Sequence, residues 1–266
     1  MSRSQAPMDF SVVVATLRRA GCVFAEDEAR LLVDATNSQA ELAAMLDRRV
    51  SGVPLEHILG WVEFFGRRVA VDPGVFVPRR RSEFLVRQAA SLTAPGAKVV
   101  DMCCGSGALG VALAAMTTIE LYAVDVESAA IACARRNVSS VDGRVFQGDL
   151  FDPLPAELRR RVDVVIANAP YVPTDAIACM PAEARLHEPH VALDGGADGL
   201  DVQRRIIAAT PEWLTGGGVL LIETGQRQAT ATTRAFDAAG FRARVAISND
   251  DSATVVIGTW RRPANV

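Results

Sequence analysis

The run Val164-Val165-Ile166-Ala167-Asn168-Ala169-Pro170-Tyr171 decides how the rest of the chain is read. Its first four residues are apolar and mostly β-branched, as in a strand buried on both faces of a sheet. The strand then meets a carboxamide, a proline that lacks a backbone donor, and an aromatic ring. A polar residue at the carboxyl end of a central strand stands where open α/β sheets bind their ligands. The Asn168 carboxamide offers one acceptor oxygen and two donor hydrogens. With a neighbouring backbone carbonyl it could accept both hydrogens of a planar NH2 group, and Tyr171 could stack on that group's face. Asn and Pro also close ordinary turns, so a plain strand-to-loop turn is the structural alternative.

On both sides of this run, strands and helices alternate. Val99-Val100-Asp101-Met102 reads as a first strand, and Gly105-Ser106-Gly107 opens a helix through Val111, Leu113 and Met116. Leu121 to Asp125 is a second strand, with a helix next from about Ser128 to Asn137. Val145 to Gln147, Val162 to Ala167 and Val219 to Glu223 supply the third, fourth and fifth, the last after the triple glycine 216–218. Ala243 to Ser248 and Thr254 to Trp260 lie close enough to pair as a hairpin. Such alternation predicts a mostly parallel sheet covered on both faces, with an antiparallel edge.

Residues 1 to about 60 read as helical. Phe10, Val13, Val14 and Leu17 recur at helical spacing, as do Leu31, Leu32 and Ala35, then Leu42, Met45, Leu46 and Arg49. Gly21 is placed to end the first helix. Two β-rich runs around Gly66, and a third at Val75-Phe76-Val77 after the Pro73-Gly74 turn, predict a small hairpin. Ser82 is a candidate cap for the next helix. Arg79, Arg80 and Arg81 suit a solvated face, or contact with an acidic or phosphate-bearing partner. Glu83 could salt-bridge locally or join a pocket.

Composition narrows the class. The 266 residues are 50% hydrophobic with a net charge of −3, which supplies a sizeable core and argues against a broad nucleic-acid-binding surface. Cys22, Cys103, Cys104, Cys133 and Cys179 are odd in number and contain no CxxC pair, so reduced thiols in a cytoplasmic protein are expected. The N-terminus is polar without a signal-peptide core, and no apolar run is long enough to span a bilayer.

Asp101 to Gly107 forms a glycine loop between strand and helix, where the backbone can approach a ligand and free N–H groups point outward. The spacing is not the dinucleotide fingerprint. Asp125, ending the next strand, could accept from both ribose hydroxyls or merely cap the following helix. Asp149, in Gly148-Asp149-Leu150, could accept from the exocyclic amine of adenine or be a turn residue. Three strand-end features in this order predict a nucleoside site. With Asp101 nearby and no lysine of a phosphate-binding loop, a cationic or zwitterionic ligand fits better than a polyphosphate.

These motifs, in this order, resemble the class I S-adenosylmethionine-dependent methyltransferases. More narrowly, the chain resembles the protein-(glutamine-N5) methyltransferases, which act on the Gly-Gly-Gln loop of translation release factors. The resemblance is carried by Pro54-Leu55-Glu56-His57-Ile58-Leu59-Gly60, Glu63-Phe64-Phe65-Gly66 and Pro73-Gly74-Val75-Phe76-Val77-Pro78-Arg79. It continues in Glu188-Pro189 with Ala192 to Leu200, and in Glu223-Thr224-Gly225-Gln226-Arg227-Gln228. Asn168-Ala169-Pro170-Tyr171 stands where the family carries Asn-Pro-Pro-Tyr. Three departures mark a divergent branch: Ala169 for the first proline, with its carbonyl kept, Cys103 for the first loop glycine, and Arg80 with Arg81 for the Pro and acidic residue of Arg-Pro-Glu-Thr-Glu. The helical region is also shorter than the family's.

The resemblance implies an α/β, Rossmann-like sheet, mostly parallel with an antiparallel last strand. It divides the chain into a helical substrate-recognition unit (1–60), a β-hairpin linker (61–78) and a methyltransferase domain (79–266). Asn168, Ala169, Pro170 and Tyr171 are the implied catalytic residues. Asp101, Cys103, Cys104, Gly105, Ser106, Gly107, Asp125, Asp149, Leu150 and Asn168 are implied to bind S-adenosylmethionine, released as S-adenosylhomocysteine, with no metal. A monomer is expected, acting on a glutamine of a protein, a release factor being the first candidate, and on neither membrane nor nucleic acid. His57, His187 and His190 are read as structural, and Cys103 and Cys104 as lining without a nucleophilic role. The rival readings are a methylase of an exocyclic base amine, for which the arginines at 79–81 and 159–161 speak, a methylase of a small amide or amine, and a cofactor-binding module without activity.

Overall fold

The structure, a computed structural model, describes residues 9–261. The first eight residues of the polar N-terminus and the end of the last expected domain, 262–266, lie outside the described residues. Three amphipathic helices open the chain: α1 (Phe10–Arg19), α2 (Ala25–Asp34) and α3 (Gln39–Val50). The expected spacing holds, with Val13, Leu17, Leu32, Leu42 and Leu46 meeting in a core of their own. Phe10 is exposed, so the buried stripe of α1 starts one turn later than its apolar residues suggest. Asp9 caps α1 and Ser38 caps α3, each through its side-chain oxygen. Gly21 takes a left-handed φ of 89° just beyond α1, as a helix stop requires.

A short α4 (Leu55–Leu59) leads into the hairpin of β1 (Trp61–Phe64) and β2 (Arg67–Ala70). Val62, Phe64 and Val69 face the main core, so the hairpin is packed into the body of the sheet domain. The third expected run, Val75 to Val77, is not a strand. Its backbone bonds go to a turn and to side chains instead: the Val75 N–H donates to the Asp72 carbonyl at 3.1 Å, the Val75 carbonyl lies 2.8 Å from His57 Nε2, and the Val77 N–H donates to Glu188 Oε1 at 3.2 Å.

After α5 (Glu83–Ala90) come β3 (Ala97–Met102), α6 (Ala108–Met116), β4 (Ile119–Asp125), α7 (Ser128–Val138), β5 (Arg144–Gln147) and β6 (Val162–Ala167). The chain continues with α8 (Ala182–His187), α9 (Asp201–Ala209), β7 (Leu214–Glu223), α10 (Ala229–Ala238), β8 (Phe241–Ser248) and β9 (Ala253–Trp260). The seven-stranded sheet has the order β5-β4-β3-β6-β7-β9-β8. Strands β3 to β7 are parallel, and β9 runs antiparallel to both neighbours.

The expected antiparallel pair exists, but β9 inserts between β7 and β8, leaving β8 as the edge. Burial explains the order. Val255, Val256 and Ile257 of β9 are covered on both faces, whereas β8 carries exposed Arg242, Arg244 and Ile247. Strand β7 begins earlier than expected and runs through the triple glycine, opposite an irregularity in β6 between Val162 and Val164.

Alternate residues of the central strands feed two cores. Val164 and Ile166 of β6 join α5, α6 and α7 on one face, while Val165 and Ala167 join α9 and α10 on the other. Each fully buried Val, Leu or Ile contributes about 1.5–3 kcal/mol. Among the described residues no helix is long and apolar enough to cross a membrane, and all five cysteines are free.

The helical unit is tied to the main body by Arg49, whose guanidinium reaches Glu28 of α2 at 2.6 Å and Glu183 of α8 at 3.1 Å. Arg49 and Glu28 are nearly buried, so removing the cation strands a carboxylate away from water. Arg49→Met should therefore lower stability by on the order of 2–3 kcal/mol. Hydrogen exchange should quicken across α1 to α3 and hold at wild-type rates in β3 and β6. Uniform acceleration through the sheet would contradict a local tie.

Candidate active site

The chain leaves β3 toward one edge of the sheet and returns through β6 toward the other. The carboxyl ends of these adjacent strands therefore form a topological switch point, with a crevice above them. A cavity of about 260 Å³ lies there. Cys103, Cys104, Gly105 and Ser106 from the β3 end, Asp125 from β4, Asp149 and Leu150 after β5, and Asn168 and Pro170 after β6 all line it. Four implied residues do not. Asp101 is fully buried beneath the glycine loop, Gly107 precedes α6, whose Ala108 and Leu109 do line the cavity, and Ala169 and Tyr171 flank the lining residues Asn168 and Pro170. Sequence reading missed Phe76, Pro78, Ser82, Glu127 and Arg205, which also line the cavity. Phe76 and Pro78 lie inside the quoted motifs, and Glu127 is the next acidic residue after Asp125. Arg205, in the middle of an amphipathic helix, carries no signal.

The glycine loop is lashed to the neighbouring strand. The Cys104 N–H donates to the Val124 carbonyl at 2.9 Å, and the Gly105 N–H to Asp125 Oδ2 at 2.8 Å. The other Asp125 oxygen accepts from the Glu127 N–H at 3.0 Å and so helps start α7. Asp125 thus organises the turn and the start of α7, and it also lines the cavity. Cys103, in the place of a family glycine, holds φ at 57°, the left-handed region that glycine occupies without strain. Burial pushes the Cys103 and Cys104 thiols up from their ordinary range, which leaves them protonated and poor nucleophiles. Asp149 pairs with Arg205, and its carbonyl accepts from the Asp152 N–H at 3.0 Å, so it also serves its turn.

Below the loop, Asp101 Oδ2 accepts from the Gly110 N–H at 2.8 Å, and Oδ1 has no partner among the described residues. Burial, with the Asp125 carboxylate adding to it, pushes the Asp101 carboxyl up to about 8.

At the end of β6, Asn168 Nδ2 donates to Ser82 Oγ at 3.1 Å, while Asn168 Oδ1 has no partner among the described residues. Ser82 stands at the start of α5 but makes no capping bond; its hydroxyl serves Asn168 instead. Two of the three adjacent arginines reach inward from partly solvated positions to buried carboxylates. Arg79 Nη2 holds the buried Glu188 carboxylate at 2.6 and 2.7 Å. Arg81 reaches buried Glu223 at 3.2 Å and the Tyr171 hydroxyl at 2.6 Å. Tyr171 in turn donates to Glu223 Oε1 at 3.3 Å, and burial and that carboxylate push its phenol up to about 12. Glu83 accepts from the Phe65 N–H and pairs with Arg87, the local role considered for it.

The late motifs meet at the same loop. Gln228 Nε2 donates to the Tyr171 and Asp198 carbonyls, both at 2.9 Å. Val172 bridges to Asp194. Gly199, at φ 77°, leaves no room for a side chain: a Cβ there would lie 2.3 Å from the Tyr171 carbonyl.

His57 is buried against the Val75 carbonyl and its pKa is lowered by that burial, so it is structural. His187 and His190 lie in or beside the segment 188–192, which supplies Pro189, Val191 and Ala192 to the cavity. Among the described residues no group of three or more His, Cys, Asp or Glu side chains is placed to hold a metal ion.

Asp101 gives this region a pH signature. Its folded pKa lies above the ordinary carboxylate value, so the folded chain retains a proton that the unfolded chain gives up. The associated stability is complete below the ordinary carboxylate range and is lost as pH rises through about 8. The melting temperature of the ligand-free protein should fall between about pH 5.5 and about pH 8.5, and Asp101→Asn should flatten that slope. Parallel curves for the two proteins would contradict the assignment.

Comparison with known proteins agrees with this geometry. A family model for the methyltransferase small domain matches residues 66–196. The chain is 40% identical over 207 residues to a release factor glutamine methyltransferase of Geobacter sulfurreducens, spanning 76% of this chain and 72% of that one. It is 36% identical over 203 residues to a 4-amino-L-phenylalanine/4-methylamino-L-phenylalanine methyltransferase of Streptomyces pristinaespiralis, spanning 73% and 68%. A solved methyltransferase from Pyrococcus furiosus shares the fold at 12% identity, with a TM-score of 0.58 over 84% of this chain and 98% of that one. A methyltransferase sheet built around an Asn-x-Pro-Tyr strand end, with relatives of this identity over most of both chains, makes the protein a member of the release factor glutamine methyltransferase family of S-adenosylmethionine-dependent enzymes.

Proposed function

We propose that the protein transfers a methyl group from S-adenosylmethionine to the side-chain amide nitrogen of a glutamine in a protein, the Gly-Gly-Gln loop of a peptide chain release factor being the leading candidate. The observation that carries this reading is Asn168: a carboxamide on the wall of the switch-point cavity, anchored through Nδ2 and with Oδ1 unpartnered among the described residues.

The cavity residues fit the donor. Asp101, beneath the cavity wall, would ionise beside a bound cation through its orphan oxygen, Asp125 suits ribose hydroxyls, and the largely apolar wall of Leu109, Val126 and Leu150 suits an adenine ring. Cys103, Cys104, Gly105, Ser106 and Gly107 are assigned to the loop that receives the methionine end. Asp149 and Leu150 are assigned to the base. When bound, S-adenosylmethionine supplies a methyl group made electrophilic by its sulfonium.

The chain's own contribution is positional. An amide nitrogen is a poor nucleophile because its lone pair is delocalised. Asn168 Oδ1 and the Ala169 carbonyl each accept one substrate N–H and hold the nitrogen in line with the methyl. As positive charge grows on that nitrogen, the same two oxygens stabilise it. The Pro170 ring forms the adjacent wall. Tyr171, fixed at its hydroxyl by Arg81 and Glu223, stays a neutral phenol and completes the acceptor side through its ring face. The nitrogen must shed one proton, and neither acceptor is basic enough to keep it, so it leaves to water. The helical unit α1–α3, fastened to α8 through Arg49, is assigned to holding the protein substrate.

A planar arylamine presents the same NH2 geometry, and the Streptomyces relative is named for such a substrate. The second reading is therefore a small aromatic amine. Labelled methyl transfer should be measured on purified release factors and on 4-amino-L-phenylalanine, with mass spectrometry locating the product. Methyl on the release-factor glutamine, and turnover cut by at least about 10²-fold in Asn168→Ala with donor binding retained, is the expected result. Transfer only to the amine would replace the first reading with the second, and unimpaired transfer by Asn168→Ala would refute both.

A further inference from the structure

We infer that Ser82 is a positioning residue for the acceptor nitrogen, acting through the carboxamide of Asn168. The inference rests on the acceptor role proposed for Asn168. Ser82 is 1% exposed and lines the cavity, and its Oγ lies 3.1 Å from Asn168 Nδ2. It ends a 3-10 turn (Arg80–Ser82) that runs straight into α5 and has helical dihedrals itself (φ −68°, ψ −11°), so its hydroxyl makes no capping bond. Local helix chemistry thus leaves this hydroxyl unused, and the carboxamide takes it.

The reason lies in the two unlike ends of Asn168. The oxygen must face the substrate N–H, because a carboxamide turned around would set donor against donor. In the productive orientation the NH2 end points away from the substrate. Once a substrate seals the cavity from water, that end needs an acceptor, and Ser82 Oγ is the acceptor in place among the described residues. A buried donor left unsatisfied is expensive, so the carboxamide would turn or the substrate would bind out of line.

Threonine and valine have the same shape and differ only in the hydroxyl, so they isolate this role. Two readouts are needed: methyl-transfer kinetics, and hydrogen exchange of the Asn168 carboxamide protons by nuclear magnetic resonance in the intact, ¹⁵N-labelled protein loaded with S-adenosylhomocysteine. Ser82→Thr should stay near wild type in both. Ser82→Val should lose on the order of tenfold or more in kcat, leave the affinity for S-adenosylhomocysteine unchanged, and speed carboxamide exchange severalfold. Ser82→Ala, which adds no bulk, should match Ser82→Val, and it replaces the pair if the extra methyl of Thr and Val disturbs folding.

Equal kcat and equal exchange with and without the hydroxyl would overturn the inference while leaving the Asn168 reading intact. A wild-type enzyme that methylates neither glutamine nor arylamine would instead overturn that reading, and the exchange measurement would still decide whether Ser82 holds the carboxamide.

Discussion

Strands β3 and β6 lie side by side in register, Val99 against Val164 through Met102 against Ala167, and beyond them the chain departs to opposite faces of the sheet. Helix α6 packs on one core, and α9 packs on the other. No helix can cover the point of divergence, so a crevice is unavoidable there, with backbone ends and strand-terminal side chains exposed to it. Residues that follow β3, β4, β5 and β6 reach this crevice because their strands end on its rim. The chemistry proposed for the site needs little more from the fold than two strand ends held a fixed distance apart.

A set of buried charges around the rim fixes that distance. Glu188 and Glu223 are almost wholly removed from water. An unpaired carboxylate in that position would cost several kcal/mol. Arg79 and Arg81, two residues apart in one corner, each answer one of them and so lash the segment after β6 and the end of β7 to the stretch before α5. Arg81 also fixes the Tyr171 hydroxyl, and its neighbour Ser82 fixes Asn168. One short corner thus reaches both polar side chains of the Asn168–Tyr171 loop. The rim is held tightly where methyl transfer would demand accurate aim.

Much of this is legible in the sequence because it arises from local chemistry. The apolar runs of β3, β4 and β6, the glycine loop and the Asn-Ala-Pro-Tyr stop all appear where composition and turn residues place them. The hidden parts depend on distant partners. Nothing near Arg81 announces a buried Glu223, so three consecutive arginines read as surface. Val75 to Val77 looks like a strand because its two valines are buried and β-branched, but the Val75 carbonyl and the Val77 N–H are taken by the His57 and Glu188 side chains, distant in sequence. The insertion of β9 inside the sheet could have been read from its richer apolar content compared with β8. Asp101 carries a functional motif yet sits under the cavity wall, since the loop that covers it is built from its own successors.

The most direct test of the proposed acceptor geometry is a structure of the protein with S-adenosylhomocysteine and a Gly-Gly-Gln peptide. The glutamine side-chain nitrogen is expected within about 2.7–3.2 Å of both Asn168 Oδ1 and the Ala169 carbonyl, with Asn168 Nδ2 still on Ser82. A glutamine side chain seated elsewhere in the cavity, with Asn168 Oδ1 turned to water, would contradict that geometry.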